Sequence, residues 1–208
     1  MKKIVVLLSV LFCSVFSFAQ SGIDVGDKIL SLSLGLGSAT NKIEGYEWSE
    51  DGAITYGGQL MTIVAPNIGL GFEFNGNHFG EGSNSEIVSY TSVATDINAN
   101  IWNLMLAGRL YMSQMENSTR VYIPLGVGIG FSNIKIKYSA PGYYPVSEKD
   151  SSSGFSWYAG LGFEEEISEN TLFGVEARFN GTNVKVDSLD DSYNPSYFMV
   201  VARLGYKF

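Results

Sequence analysis

The last twelve residues of the chain, 197–208, alternate between two kinds of position with a period of two. The apolar series consists of Phe198, Val200, Ala202, Leu204, Tyr206 and Phe208. The intervening series includes Arg203, Gly205 and Lys207. A period of two over this length predicts a strand with one apolar face. At the edge of a soluble open sheet such a strand would promote aggregation, so the feature restricts the folds open to this chain.

The amino terminus, residues 1–19, has the three parts of a secretory signal peptide. Residues 1–3 are basic at two positions, 4–16 form an apolar run, and 17–19 supply a small-x-small cleavage site. We predict cleavage after Ala19, which leaves one domain at 20–208. The alternative is an uncleaved membrane anchor, for which the apolar run is short, since a span needs about 20 residues.

Charge and cysteine content exclude several classes of protein. Loss of Lys2 and Lys3 would leave 11 basic residues against 21 acidic ones, a net charge of −10. An acidic chain of this kind argues against binding of nucleic acid. The one cysteine, Cys13, lies inside the predicted signal, so the mature domain has no disulfide framework. No motif predicts a cofactor.

The rest of the chain contains about eight segments with strand-like alternation. They span 28–40, 54–64, 68–77, 97–112, 119–137, 155–166, 171–186 and 197–208. Long and short connections alternate between them, four long and three short, which is typical of transmembrane β-barrels. In the fifth segment the apolar residues occupy odd-numbered positions as far as Phe131 and even-numbered positions from Asn133 on, at Ile134 and Ile136. This shift predicts a β-bulge.

The two faces of these strands differ in size as well as polarity. One face holds most of the Leu, Val, Ile and Phe, and the other holds Gly, Ser, Asn and charged residues. In a soluble eight-stranded barrel the apolar face points inward, and here the phenylalanines would overfill a narrow lumen. We therefore predict that the apolar face contacts lipid. Its aromatic residues predict interface girdles: Tyr56, Phe74, Trp102, Trp157, Phe179, Tyr206 and Phe208.

Six charged residues fall on the predicted lumen face: Glu73, Arg109, Glu164, Glu176, Arg178 and Arg203. Buried charges are costly unless they are paired and hydrogen-bonded, so we predict a network of alternating sign that fills the lumen. Glu73 and Arg109 are expected to be hairpin neighbours, and Arg203 is expected to lie beside the strand that carries Glu176 and Arg178.

The strand pattern and the terminal Tyr-Lys-Phe resemble small eight-stranded outer-membrane β-barrels of the OmpA/OmpX type. The resemblance implies an all-β, transmembrane, antiparallel up-and-down barrel with a packed interior. It implies export across the inner membrane and residence in the outer membrane, in contact with its lipid and lipopolysaccharide. It also implies that Tyr206 and Phe208 belong to the signal read by the barrel assembly machinery.

Such barrels have several functions, so the fold does not select one. Aromatic residues in the long connections, Tyr46, Trp48, Tyr143 and Tyr144, are candidate contacts for an extracellular protein or other surface ligand. Their other interpretation is that they pack the connections onto one another. We predict a structural or surface-interaction role without enzymatic activity.

Two alternatives are a lipid A-modifying enzyme and a small, low-conductance channel. The enzyme hypothesis depends on His78, which lies near Ser83, Ser85 and Glu86, as a base and nucleophile would require. However, Gly80 stands where the His-x-Ser spacing of lipid A deacylase barrels needs a serine. The acidic clusters in the long connections match no EF-hand pattern, so no metal site is predicted.

Overall fold

A computed structural model describes residues 23–40, 47–48, 52–88, 91–112, 118–186, 191–193 and 196–208. The predicted signal peptide lies outside these residues. The strands are β1 Lys28–Ala39, β2 Glu47–Trp48, β3 Ala53–Ala65, β4 Ile68–Val88, β5 Thr91–Tyr111, β6 Thr119–Ser139, β7 Val146–Ser168, β8 Thr171–Thr182, β9 Val184–Val186, β10 Asp191–Tyr193 and β11 Ser196–Lys207. None of the described segments is a helix that could span a membrane.

Eight of these strands close into a ring of antiparallel neighbours. Their order is β1-β3-β4-β5-β6-β7-β8-β11, and β11 pairs with β1. The closing pair runs without a register shift from Ile29 opposite Lys207 to Ala39 opposite Tyr197. Two main-chain bonds between Lys28 and Phe208, of 2.9 and 3.1 Å, complete this seam. The prediction of an eight-stranded up-and-down barrel is confirmed.

The strands of the ring have two lengths. The short connections, such as the one at Asn67 with its left-handed φ of 72°, share one end of the barrel, called here the turn end. Strands β1, β3, β8 and β11 have 12 or 13 residues, and β4 to β7 have 21 to 23. Twelve tilted residues cross about 30 Å, the thickness of a hydrocarbon core.

The longer strands extend about 20 Å further at the opposite, loop end. This protruding sheet comprises residues 80–88, 91–98, 133–139 and 146–154. The predicted long connections at 78–96 and 138–153 are therefore wrong in extent, because β4 continues to Val88, β5 begins at Thr91 and β7 begins at Val146. Beyond the membrane both faces of a sheet tolerate polar residues, so the apolar alternation that reveals a lipid-facing strand is lost.

The outer face of the wall is apolar and exposed, as predicted. Leu32 and Leu36 are each 69% exposed, and Phe72 is 64% exposed. Trp102 stacks on Phe74 with ring centroids 5.4 Å apart and meets Tyr56 edge-on at 5.6 Å. Such a band of exposed apolar side chains is stable only in contact with lipid or a partner, and the aromatic cluster lies near its loop end.

The lumen face carries glycine where large side chains must cross the barrel. Gly126 lies opposite Tyr158, and Gly162 lies opposite Tyr122. A Cβ atom at either glycine would overlap the facing tyrosine ring. These glycines therefore let two buried tyrosines lie against the wall and reach the centre of the lumen.

The β-bulge predicted near Asn133 is absent from β6, where described burial alternates from Arg120 to Lys137 without interruption. The β5–β6 register is also continuous through this region. Ile134 and Ile136 point into the lumen, in the same parity as Tyr122 and Ser132. The inward residues change from polar to apolar toward the loop end, and this change, not a bulge, explains the sequence pattern.

One interruption of the ladder does occur in β6, at Pro124. Its pairing with β5 is continuous, with Pro124 opposite Arg109. Toward β7, however, the paired residues run from Tyr122 to Leu125 and omit Ile123 and Pro124. Proline has no N–H to donate to the ladder, so the seam between β6 and β7 is weakest here among its described pairs.

Candidate functional site

Glu73 is the central acceptor of the lumen. Its side chain is 1% exposed and forms ion pairs with Arg178 at 2.6 Å and Arg203 at 2.7 Å. Gln59 Nε2 and Asn75 Nδ2 each donate to it at 3.0 Å, and the Tyr158 hydroxyl donates at 3.1 Å. Five different side chains thus compensate the loss of hydration of one carboxylate.

A second carboxylate, Glu176, lies in the same layer and is fully buried. It accepts a hydrogen bond from the Tyr122 hydroxyl at 2.7 Å and pairs with Arg203 Nε at 2.8 Å. It also bonds to Arg178 on its own strand. Arg203 and Arg178 therefore bridge Glu73 and Glu176.

The predicted contact between Glu73 and Arg109 is wrong. Glu73 lies opposite Met105, whereas Arg109 lies opposite Gly69, nearer the turn end. Arg109 instead crosses to Glu164 at 2.5 Å and to Gln59 Oε1 at 2.8 Å. Long side chains in a narrow lumen reach strands that are distant in sequence, so hairpin adjacency does not determine the pairs.

Three further charged residues in the lumen were not predicted. Arg120 is 0% exposed and pairs with Glu164 at 3.1 Å. Lys207 Nζ pairs with Glu166 at 2.9 Å. Arg120, Glu166 and Lys207 each lie an even number of residues from an inward-facing residue on the same strand. Continuing the alternation toward the turn end would therefore have placed them in the lumen.

The ion-paired group of Glu73, Glu176, Arg178 and Arg203 is called here the charged layer, and apolar side chains lie toward the loop end and the turn end from it. Toward the loop end, a layer called here the loop-end apolar layer comprises Ala53, Phe79, Ala99, Ile101, Ile134, Ile136, Tyr197, Met199 and Val201. Toward the turn end, Ile23, Ile29, Ile63, Tyr111, Tyr122 and Leu172 form a second cluster. Phe79 meets Tyr197 edge-on at 5.1 Å. The side chains of Glu73, Glu176, Arg178 and Arg203 are each at most 3% exposed.

The charged layer leaves little space for a substrate. A cavity bordered by Ser31, Arg109, Glu164 and Arg203 has a volume of about 10 Å³, roughly that needed by one water molecule. Arg109 packs over the Tyr122 ring at 4.6 Å, and Arg178 packs over the Tyr158 ring at 4.1 Å. This arrangement can fix the register of the strands and fill the lumen.

His78 lies on the outer face near the base of the protruding sheet and is exposed. Its Nδ1 is 2.5 Å from Asn100 Oδ1. The side chains of Ser83, Ser85 and Glu86, which the enzyme hypothesis needs, lie outside the described part of the structure. Among the described residues, no cluster of His, Cys, Asp or Glu could hold a metal ion.

Of the four candidate loop contacts, two can be located. Tyr143 is 76% exposed and Tyr144 is 96% exposed, in the connection between β6 and β7. Tyr46 lies outside the described residues, and for Trp48 only the backbone is described, opposite Gly82. The exposure of Tyr143 and Tyr144 shows that these two rings are not packed against the described loops.

Residues 5–208 match the model of the outer membrane protein beta-barrel domain. The chain belongs to this family. Its members' outer-membrane location and transmembrane strands apply to this protein, so its exposed apolar band contacts lipid. With the usual orientation of such barrels, the turn end faces the periplasm and the loop end faces the exterior.

Solved structures of the same fold include two other small barrels. Ail, the attachment invasion locus protein of Yersinia pestis, has a TM-score of 0.54 and 16% identity, over 89% of this chain and 100% of Ail. OprG of Pseudomonas aeruginosa has a TM-score of 0.50 and 15% identity, over 90% and 98% of the two chains. At these identities the likeness shows the fold alone. None of the curated proteins is similar enough in sequence to count as a relative.

Proposed function

We propose that the barrel is a membrane scaffold that presents the protruding sheet for contact with an extracellular surface or protein. The observation that carries this proposal is the unequal length of the strands. Four adjacent strands continue about 20 Å beyond the lipid-facing band, and the connection between two of them places Tyr143 and Tyr144 in solvent. Exposed tyrosines favour binding because they bury a large area at a low entropic cost.

The similarity to Ail supports this proposal as an analogy. That protein is named the attachment invasion locus protein, and a structure of it is in complex with a heparin analogue, sucrose octasulfate. Fold similarity does not transfer a ligand. It does make attachment at the loop end a reasonable first assay for this chain.

The contents of the lumen favour a scaffold over a channel. The charged side chains of the lumen form ion pairs with one another, and apolar clusters lie toward both ends of the lumen. A conducting pore instead needs a continuous polar path with sites that an ion can enter and leave.

The test is a binding assay on cells that express the full protein, with a Tyr143→Ser/Tyr144→Ser variant and a Glu169→Ser control at the turn end. We expect the tyrosine variant to lose capture of surface material from host cells and the control to retain it. Equal capture by both variants, a change in lipid A mass when the protein is expressed, or step conductances in planar bilayers would contradict the proposal.

We propose further that Tyr206 and Phe208 serve as the signal for the barrel assembly machinery. Phe208 is 60% exposed on the lipid side, and its backbone completes the seam with Lys28. Deletion of Phe208 is expected to lower the yield of assembled, heat-modifiable barrel in cells more than any single loop substitution does. Refolding into pure lipid is the control, since a defect of the same size there would indicate lost seam bonds and not lost recognition.

A further inference from the structure

Three lysines lie together on the outer face of the protruding sheet. Lys135 and Lys137 alternate with the inward Ile134 and Ile136 along β6, and all three lysines are exposed. On the neighbouring strand, Lys149 lies directly opposite Lys135. Directly opposed residues of an antiparallel pair share a face, with Cβ atoms about 5 Å apart.

This arrangement costs stability unless an anion is bound. Like charges directly opposite each other in a sheet are destabilising, and the chain as a whole is acidic, with 21 carboxylate residues against 13 basic ones. Asp96 is the cross-strand partner of Lys137. Even so, none of the three lysines forms a salt bridge with a carboxylate in the described part of the chain.

The height of the lysines above the lipid-facing band indicates what the anion is. Trp102 and Phe131 are paired at the loop-end limit of that band, and Lys135 follows Phe131 by four residues, about 10 Å along the tilted strand. The headgroup region begins at the edge of the hydrocarbon core and is several ångströms thick. Lysine stems can lie along the surface and direct their ammonium groups toward that region.

Between the aromatic band and the lysines lies an open groove of about 410 Å³. It is lined by Trp102, Phe131, Ser132, Asn133, Ser151, Ser152 and Ser153. Its lower border is aromatic, and its upper part offers hydroxyl and amide groups that can hydrogen-bond to sugar hydroxyls. The ammonium groups lie beyond these groups, where a phosphoryl group attached to the sugar would be.

We propose that this surface binds the phosphorylated sugar headgroup of an outer-leaflet glycolipid. Lys135 and Lys149 hold the phosphoryl group, Lys137 adds positive potential, and the groove holds the sugar above Trp102 and Phe131. The proposal does not depend on the extracellular partner proposed above, because the glycolipid belongs to the same membrane as the barrel.

The test measures binding of a fluorescent lipid A, with its phosphates intact or enzymatically removed, to the full refolded protein in detergent micelles. The variant is Lys135→Gln/Lys149→Gln, and Lys28→Gln, exposed at the turn end, is the matched control. Basic residues near an anionic surface attract it, so we expect the double variant to bind phosphorylated lipid A at least about tenfold more weakly. Dephosphorylated lipid A should bind the wild type and the variant equally.

A Lys135→Arg/Lys149→Arg variant should retain binding, and heat-modifiable migration verifies that each variant is folded. Equal affinity for both forms of lipid A, or an equal loss in Lys28→Gln, would overturn the proposal. Complete displacement by excess inorganic phosphate would assign the site to free phosphate. Lysine-dependent binding of heparin without lysine-dependent binding of lipid A would assign it to a soluble polyanion, and either result contradicts the glycolipid site.

Discussion

The charged layer and the loop-end apolar layer occupy the same lumen and use the same inward strand positions, yet burial is stabilised differently in each. Around Glu73 the contacts are directional, and five side chains converge on one carboxylate. Around Phe79 and Ile134 they are dispersive and have no fixed donor or acceptor. The charged layer therefore depends on every partner, whereas the apolar layer depends mainly on volume.

The substitution Glu73→Ala provides the strongest test of this difference. It removes one of the two carboxylates that Arg178 and Arg203 share and leaves both guanidinium groups with Glu176 alone, in a buried site. We expect the free energy of unfolding to fall by about 5 kcal/mol, the upper part of the range for breaking a buried pair. Urea unfolding of the refolded barrel in lipid vesicles measures it.

The control for this experiment is Glu148→Ala, a glutamate exposed at the loop end of β7. An exposed substitution of this kind should change stability by less than about 0.5 kcal/mol. If the two variants lost similar amounts, the lumen would be hydrated and the charged layer would not stabilise the barrel as described.

Arg203→Ala should have the next largest effect. The substitution removes one of the two guanidinium groups that bridge Glu73 and Glu176, while Arg178 continues to contact both. We expect a loss of about 3 kcal/mol in the same urea assay. The Arg203→Ala/Glu176→Ala variant should lose less than the sum of the two single variants, because the residues belong to one network. Strict additivity would show that they act independently.

In the apolar layer, Ile134→Val should cost only about 1 kcal/mol, since one methylene is lost and the neighbouring side chains can adjust. Ile134 is 3% exposed and packs within the loop-end apolar layer. Urea unfolding again provides the measurement. A loss of unfolding free energy as large as that of Arg203→Ala would mean that the apolar layer tolerates substitution no better than the charged layer, which would contradict the difference proposed between them.

The smallest effect expected concerns conductance. Phe79→Ala opens space in the loop-end apolar layer but leaves the charged layer and the turn-end cluster in place. Planar-bilayer recordings of this variant and of the wild type should therefore both remain at the baseline of the bare bilayer. Single-channel steps in Phe79→Ala but not in the wild type would show that the apolar layer blocks ion passage and that the charged layer alone does not.

The membrane-spanning part of the fold could be predicted because lipid on one side of the wall and a narrow lumen on the other require apolar residues to alternate with small or polar ones along each strand. The ends of the strands could not be predicted where that contrast disappears. The segment 78–96 is rich in polar residues and therefore has the composition of a loop. In the protruding part of β6 the outward Lys135 and Lys137 are polar and the inward Ile134 and Ile136 are apolar, which reverses the expected pattern without any change of parity.

The composition of the lumen was likewise predictable, but its contacts were not. Parity places Glu73, Arg109 and Arg203 inside, and its extension toward the turn end would have added Arg120, Glu166 and Lys207. Which cation meets which carboxylate depends on how far each side chain reaches across the ring. The contact of Arg109 with Glu164 joins strands that are not neighbours of one hairpin, so the order of residues along the chain contains little information about it.

Pro124 has a consequence for the motions of the wall. Hydrogen exchange from a closed barrel requires strands to separate, and separation begins where the fewest amide bonds must break. At Ile123 and Pro124 the ladder toward β7 is interrupted, whereas the seam between β1 and β11 is continuous over its described length. The first opening is therefore expected in the turn-end part of the β6–β7 seam before it occurs at the junction where the two ends of the chain meet.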